Sequence, residues 1–435
     1  MSDNPRIQSA SLTDLMPSTS RKKPYPSIFD IVYTLEDRFK YIEPHIQSFL
    51  SEDNRFDRIR DEVKAIEAKH PDPQKRPPLF GALLGVKDIF HADGFITCAG
   101  TDVPPELFAG NQANVVSKLK EAGAIVAGKT VTTEFAYFEP GPTRNPYNLA
   151  HTPGGSSSGS AAAVASGLCH IALGTQTVGS VIRPAAYCGI VGYKPSYGRI
   201  DSEGLVYFSR SADHVGLFTQ DVAGLWLVAE FVVDDWSGKD MPKLKPVLGV
   251  PEGVYLEQCT ALDEFEVQVT ALENAGYTVK GIPMFDDIAA IDNNHQDMIA
   301  AELANEHDSW FAQHSDRYRQ RTADLIRKGQ TITNERRTEG QLSRTNLRDS
   351  LHATMDEHEI DLWISPSAPD VAPEGIHATG SPAMNMPWTH AGVPVVTVPA
   401  GTGKLDLPLG LQICGRYGED ELVIHWSKGI EAVYK

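Results

Sequence analysis

No cysteine pairing organises this chain. Its five cysteines (Cys98, Cys169, Cys188, Cys259 and Cys414) are odd in number, and none falls in a C-x-x-C spacing. That excludes a disulfide framework and points to reduced thiols in a cytoplasmic setting. No H-E-x-x-H run occurs, so neither a metal site nor any other cofactor is expected. Positive charge is in deficit: 39 lysines and arginines stand against 57 acidic residues, a net charge of −18. Such a balance argues against nucleic acid or an anionic membrane as a partner. The stretch from Met1 to Lys23 is polar, without the apolar run of a signal peptide or membrane anchor. No Pro/Ser-rich linker or internal repeat divides the 435 residues. We therefore expect a partly ordered arm over residues 1–24 and one large domain over residues 25–435. Apolar residues make up 41%, enough for a large core.

What is present reads as alternating short apolar strands and helices. Phe56, Ile59, Val63 and Ile66 recur at helical steps with charged residues between them, which is an amphipathic surface helix. Segments Leu83–Phe90, Val115–Glu121 and Ile125–Gly128 follow in strand and helix alternation, the pattern of a layered α/β core. A second α/β stretch runs through Val247–Val250 and Phe265–Gly276. A long charged helical region then extends from Asp292 to Glu359. Its Asp356-Glu357-His358-Glu359 cluster reads as a solvated helix face and not as a metal site.

The chemistry concentrates around two serines. Gly154-Gly155-Ser156-Ser157-Ser158-Gly159-Ser160 passes directly into the helix-forming run Ala161-Ala162-Ala163-Val164-Ala165. A Gly/Ser run alone reads as a flexible linker, but this one positions backbone N–H groups at a helix start. Downstream lies Val178-Gly179-Ser180. No histidine is close in sequence to either serine, so a base must come from elsewhere. Lys87, among Leu83, Leu84, Val86, Ile89 and Phe90, is a lysine in an apolar setting and can serve if its ammonium is destabilised. An ordinary lysine is neutral in only about one molecule in 2,500 at pH 7, so its pKa must fall by roughly 3 units. Burial can supply that shift. Asp88 opposes it if its carboxylate approaches, and strand alternation allows Asp88 to point away toward backbone partners.

Together these segments resemble the amidase signature family. The family's lysine segment matches Gly81 to Asp88, its T-P-G-G-S-S-x-G-S run matches Thr152 to Ser160, and its C-G-x-x-G-x-K-P run matches Cys188 to Pro195. Its L-G-T-x-x-x-G-S-x-R-x-P-A run is matched to Leu173–Ala185. Weaker similarity extends from about residue 365 to 425, including Asn385–Pro399 and Leu407–Gln412. The resemblance implies a single α/β/α layered domain whose central mixed sheet is flanked by helices. It implies Ser180 as nucleophile, Ser156 as a bridging serine after a cis Gly155–Ser156 bond, and Lys87 as general base. The N–H groups of Thr177, Val178, Gly179 and Ser180 are implied as the oxyanion hole, with Gly179 bringing backbone close to the substrate. Residues 285–360 correspond to the family's variable, pocket-covering part.

Two departures stand out. Gln176 replaces an acid that many members pair with an arginine, here Arg183, and Val178 replaces a glycine. Substrate binding is expected from Tyr137 and Phe138, in the segment Phe135–Phe138, and from Trp388 and His390 near the tail motif. An aromatic lining favours an uncharged amide, anilide or carbamate, and packed core aromatics are the bland alternative. The reading is a stand-alone amidase acting on a small molecule, with a homodimer left open. Three alternatives stay beside it: the amidase subunit of a tRNA-dependent amidotransferase, a non-catalytic binding module, and an α/β-hydrolase-type esterase. The last would use Ser157, since Gly155–Gly159 also satisfies G-x-S-x-G; that motif wants an apolar strand before it, and Asn145–Pro153 reads as loop.

Overall fold

Ten strands form one mixed sheet in a computed structural model that describes residues 4–7, 10–15 and 27–435. The strands are β1 (Leu83–Lys87), β2 (Ile125–Thr130), β3 (Ile171–Gln176), β4 (Val191–Lys194), β5 (His214–Thr219), β6 (Val247–Glu252), β7 (Thr278–Pro283), β8 (Leu362–Pro366), β9 (Val395–Thr402) and β10 (Pro408–Cys414). They lie in the order β2-β1-β3-β5-β4-β9-β10-β8-β6-β7. Pairing is parallel at β2-β1-β3 and at β8-β6-β7, and antiparallel through the middle. The α/β layered architecture expected from the sequence is therefore the one observed. β1, β2, β3, β4 and β5 are buried along their whole length, which is why they read as near-continuous apolar runs without alternation.

The 55–69 amphipathic pattern forms the helix Arg55–Lys69, with Ile59 and Val63 buried. Segment 83–90 is shorter as a strand than its apolar run, because the chain turns after Lys87: the N–H groups of Ile89 and Phe90 both donate to Lys87 O. The charged region from 292 onward folds as helices Ile288–Glu306, Asp308–His314, Gln320–Gly329 and Asn334–Glu357. Asp356 is paired with Arg416 at 2.6 Å. Part of the arm docks on the body: Arg6 Nε donates to Pro146 O at 2.9 Å, and Leu12 is buried. The rest of the expected arm lies outside the described residues. Among the described residues no helix is long and apolar enough to cross a membrane.

This topology sets the location of the site. β1 and β3 are parallel neighbours, with Val86 paired to Leu173. Their carboxyl ends therefore release Lys87 and the segment after Gln176 at the same edge of the sheet, where ligands of parallel α/β sheets are commonly bound.

Candidate active site

Lys87 closes β1 with no exposed surface. Its Nζ lies 2.7 Å from Ser156 Oγ and 2.8 Å from Thr175 Oγ1, and it donates to both. Burial drives its pKa well below the ordinary lysine value, while the Asp213 carboxylate opposes that shift. Asp88 does turn away from Lys87. It accepts from Cys98 N at 3.1 Å and pairs with Lys129 at 2.8 Å, so its partner is a second buried lysine as well as backbone.

The Gly155–Ser156 peptide is cis. Ser156 precedes the helix Ser158–Ala165, and Ser180 precedes the helix Ile182–Tyr187. Both serines line one narrow cavity with Ala136, Tyr137, Phe138, Thr177, Val178, Arg183, Phe208, Ile299 and Thr379. Its water-sized space is about 10 Å³, room for about one water. Ser180 is 8% exposed and Ser156 2%, so the pair is sheltered with Ser180 the more open.

The loop from Thr177 to Ser180 is held from behind, which leaves its N–H groups free. Among the described residues, none of the backbone hydrogen bonds outside helices and strands uses an N–H of these four. Their carbonyls and side chains carry the anchoring. Thr177 O accepts from His295 Nε2 at 2.9 Å, and Val178 O accepts from Thr389 Oγ1 at 2.6 Å. Thr177 Oγ1 donates to Asp213 Oδ1 at 2.5 Å. Asp213 also accepts from the N–H groups of Phe208 (2.8 Å) and Ser209 (3.0 Å), and burial raises its pKa to about 6. Gly179 is required by packing: a Cβ there would meet Asn385 Oδ1 at 2.5 Å and Pro382 Cβ at 3.0 Å. Asn385 and Pro382 thus pack directly against the Cα of Gly179.

The chain that builds this cavity, with a buried lysine on one serine and a second serine beside free N–H groups, matches a known family. The family model described as Amidase covers residues 30–424. The chain belongs to the amidase signature family. It is an amidase in the broad sense, an enzyme of carbon–nitrogen bonds other than peptide bonds. It is 30% identical to a glutamyl-tRNA(Gln) amidotransferase subunit of Synechococcus sp. (strain WH7803), with 91% of each chain covered. The corresponding protein of Lysinibacillus sphaericus (strain C3-41) is 27% identical over 93% of each. Among solved structures, a protein described as an amidase superposes with a TM-score of 0.83 at 28% identity, covering 94% of this chain and 97% of its own. Native peptide amidase from Stenotrophomonas maltophilia, at 22% identity and a TM-score of 0.78, shares the fold.

Three expectations for this amidase are corrected by the geometry. Trp388 and His390 do not line the cavity. Both are fully buried, because Trp388 Nε1 donates to Tyr255 OH at 2.9 Å and His390 packs on His295. Burial holds His295 near pKa 4 and His390 near 2, so both rings are neutral. Thr177 O can only accept, which fixes a chain: Ser343 hydroxyl to His390 Nε2 (2.6 Å), His390 Nδ1–H to His295 Nδ1 (3.0 Å), His295 Nε2–H to Thr177 O. His390 supports the loop from outside the cavity. Tyr137 and Phe138, by contrast, are in the cavity wall.

Gln176 does not bond Arg183. Its Oε1 accepts from Val181 N (2.8 Å) and Ile182 N (2.9 Å), capping the short helix, and its Nε2 donates to Thr389 Oγ1 at 2.9 Å. The run itself explains why: Ile182 fills the place of the arginine in G-S-x-R-x-P-A, and Arg183 stands one residue later. Arg183 Nη2 reaches Gly155 O (2.7 Å) and Thr379 Oγ1 (3.1 Å) instead. Ser157 has no exposed surface, and its hydroxyl is engaged with the backbone of Thr175 at 3.3 Å, so it is not presented as a nucleophile. Sequence reasoning missed two residues. Thr175 was legible as part of the G-T pair in its run, whereas Asp213 carried no local signal.

Proposed function

We propose that this chain is a stand-alone amidase that hydrolyses a small amide, anilide or carbamate through a serine acyl-enzyme. In this reading Ser180 Oγ attacks the carbonyl carbon while its proton passes to Ser156 Oγ, and the Ser156 proton passes to neutral Lys87 Nζ. The lysine returns a proton through Ser156 to the leaving nitrogen as the C–N bond breaks. Water then attacks the acyl-enzyme by the same relay and releases the acid. The N–H groups of Thr177 to Ser180 stabilise the oxyanion, each such donor being worth about 10²–10³ in rate. The single observation that carries the reading is the 2.7 Å contact between Lys87 and Ser156, on the wall that also holds Ser180.

The amidotransferase subunits among the relatives raise the alternative of glutamine as amide donor. Glutamine brings an ammonium into the site, and a buried ammonium needs an anionic partner. None of the described residues lining the cavity carries a carboxylate. This supports the stand-alone reading. The test is fluorophosphonate exposure followed by intact mass and peptide mapping, with glutaminase and amide hydrolysis measured on the isolated chain. Capture at Ser180 with amide hydrolysis and no glutaminase activity is expected. Capture at Ser157, or activity confined to a complex with another protein, overturns the proposal.

A further inference from the structure

Among the described residues of the cavity wall, Arg183 is the one formal charge, and it is only partly satisfied. Its side chain is 1% exposed. Nη2 is spent on Gly155 O and Thr379 Oγ1, while Nε and Nη1 are buried with no hydrogen-bond partner. Phe138 covers one side, its ring centre 5.7 Å from the guanidinium carbon. Guanidinium groups buried to this degree are almost always paired with a carboxylate, because the uncompensated charge is expensive to hold in a dry interior. Here no carboxylate among the described residues supplies the pairing; of these residues, the Tyr187 phenol is the only ionisable neighbour whose charge bears on Arg183. Asp213 answers Lys87, and Asp88 answers Lys129. Gln176 is neutral and committed to Val181, Ile182 and Thr389. Burial lowers the Arg183 pKa only to about 10, so the cation persists at neutral pH.

We propose that Arg183 determines specificity by binding a carboxylate on the acyl half of the substrate, so that the preferred substrates are half-amides of short dicarboxylic acids. This rests on the amidase reading above and replaces the uncharged acyl group expected from the aromatic lining. The unspent N–H groups of Arg183 supply charge-assisted hydrogen bonds. The carboxylate supplies the missing counter-charge. Shortness follows from the small cavity and from the three-residue step between Ser180 and Arg183 at the head of one helix. Phe138 and Phe208 exclude water from the pair, which strengthens it.

The test is a matched-pair comparison on the full chain: kcat/KM for half-amides of short dicarboxylic acids against the corresponding methyl esters or alkyl amides lacking the carboxylate. The carboxylated member is expected to be favoured on the order of 10²-fold or more, because a site built for a hydrogen-bonding group rejects the analogue that lacks it. In R183M the ratio collapses to within about tenfold, whatever the absolute rate, while R183K retains part of it. Equal or better hydrolysis of the neutral members by the wild-type chain overturns the proposal without any variant, which matters if R183M fails to fold. A preference for the carboxylate on the amine half, or an R183M ratio unchanged from wild type, overturns it as well. Fluorophosphonate capture at Ser180 needs no carboxylate, so capture without the selectivity refutes the Arg183 assignment and leaves the hydrolase reading intact.

Discussion

Two lysines lie one register step apart near the ends of the neighbouring strands β1 and β2, and burial treats them alike. Lys87 is 0% exposed and Lys129 4%, and burial lowers the pKa of both. Their surroundings differ. Lys129 meets the Asp88 carboxylate at 2.8 Å and adds Phe90 O and Thr97 Oγ1, so it is held as an ammonium in an ion pair. Lys87 meets hydroxyls, those of Ser156 and Thr175, with Asp213 felt at longer range. A carboxylate in contact makes a buried lysine a structural cation. Hydroxyls in contact, with the nearest carboxylate farther off, favour the neutral amine that the proposed base requires.

The sharpest break of this comparison is at Lys87. Lys87→Ala should lower kcat by about 10²–10⁴-fold, the usual worth of a general base, and remove the dependence of rate on lysine deprotonation. Ser180→Ala sets the floor, since it deletes the proposed attacking oxygen; steady-state hydrolysis of a chromogenic anilide measures both. Near-native kcat in the lysine variant would show the base to be elsewhere.

Lys129 should fail in the other currency. Lys129→Met leaves Asp88 buried without its cation and should cost about 3–5 kcal/mol of stability, read from urea unfolding. Activity per folded molecule, counted by active-site titration, should stay within about tenfold. The double variant with Asp88→Asn should recover much of the lost stability. A Lys129→Met protein of native stability but no activity would reverse the roles assigned to the two lysines.

Ser156→Ala divides the relay from the nucleophile. The site still holds Lys87 and Ser180, and one water in the vacated space can carry the proton, so the loss should be smaller than for Ser180→Ala. A smaller loss that is accompanied by a larger solvent isotope effect fits a water bridge; a loss equal to that of Ser180→Ala would make Ser156 indispensable to acylation itself.

How legible these roles are depends on how local their signals are. Ser156 and Ser180 stand in short runs of glycine and small residues just before helices, and Lys87 stands in an apolar run at a strand end, so each signal is carried by adjacent residues. The layered α/β core was legible from apolar strands alternating with helices, whereas the mixed sheet came only with the family resemblance. Trp388 and His390 were misplaced because aromaticity near a motif does not tell which face of a six-residue helix looks inward; both are claimed by Tyr255 and His295, residues far away in sequence. Arg183 was misread through a one-residue offset in its run, which on a helix changes the face and hence the partner. Asp213 was invisible because its role arises only when β5 lies beside β3, with His214 opposite Gln176.

The finest distinction concerns that carboxylate. Asp213 is the main counterweight to burial at Lys87, since its negative charge favours the ammonium. Asp213→Asn removes the charge while its amide can still donate to Thr177 Oγ1 and accept from Phe208 or Ser209 N–H. Without the charge the ammonium is less stable, so the Lys87 pKa falls further and the acidic limb of kcat/KM against pH should move to lower pH. The sign is fixed: the limb marks where protonation of Lys87 shuts off the base. Asp213 titrates near pH 6, so the wild-type carboxylate is itself neutralised below that value. The two profiles should therefore separate above about pH 6 and converge beneath it. The plateau rates should differ by less than about tenfold, because a weaker base is offset by its larger neutral fraction. An unshifted limb with a depressed plateau would instead mean that Asp213 serves the reaction only by holding Thr177 and the oxyanion loop.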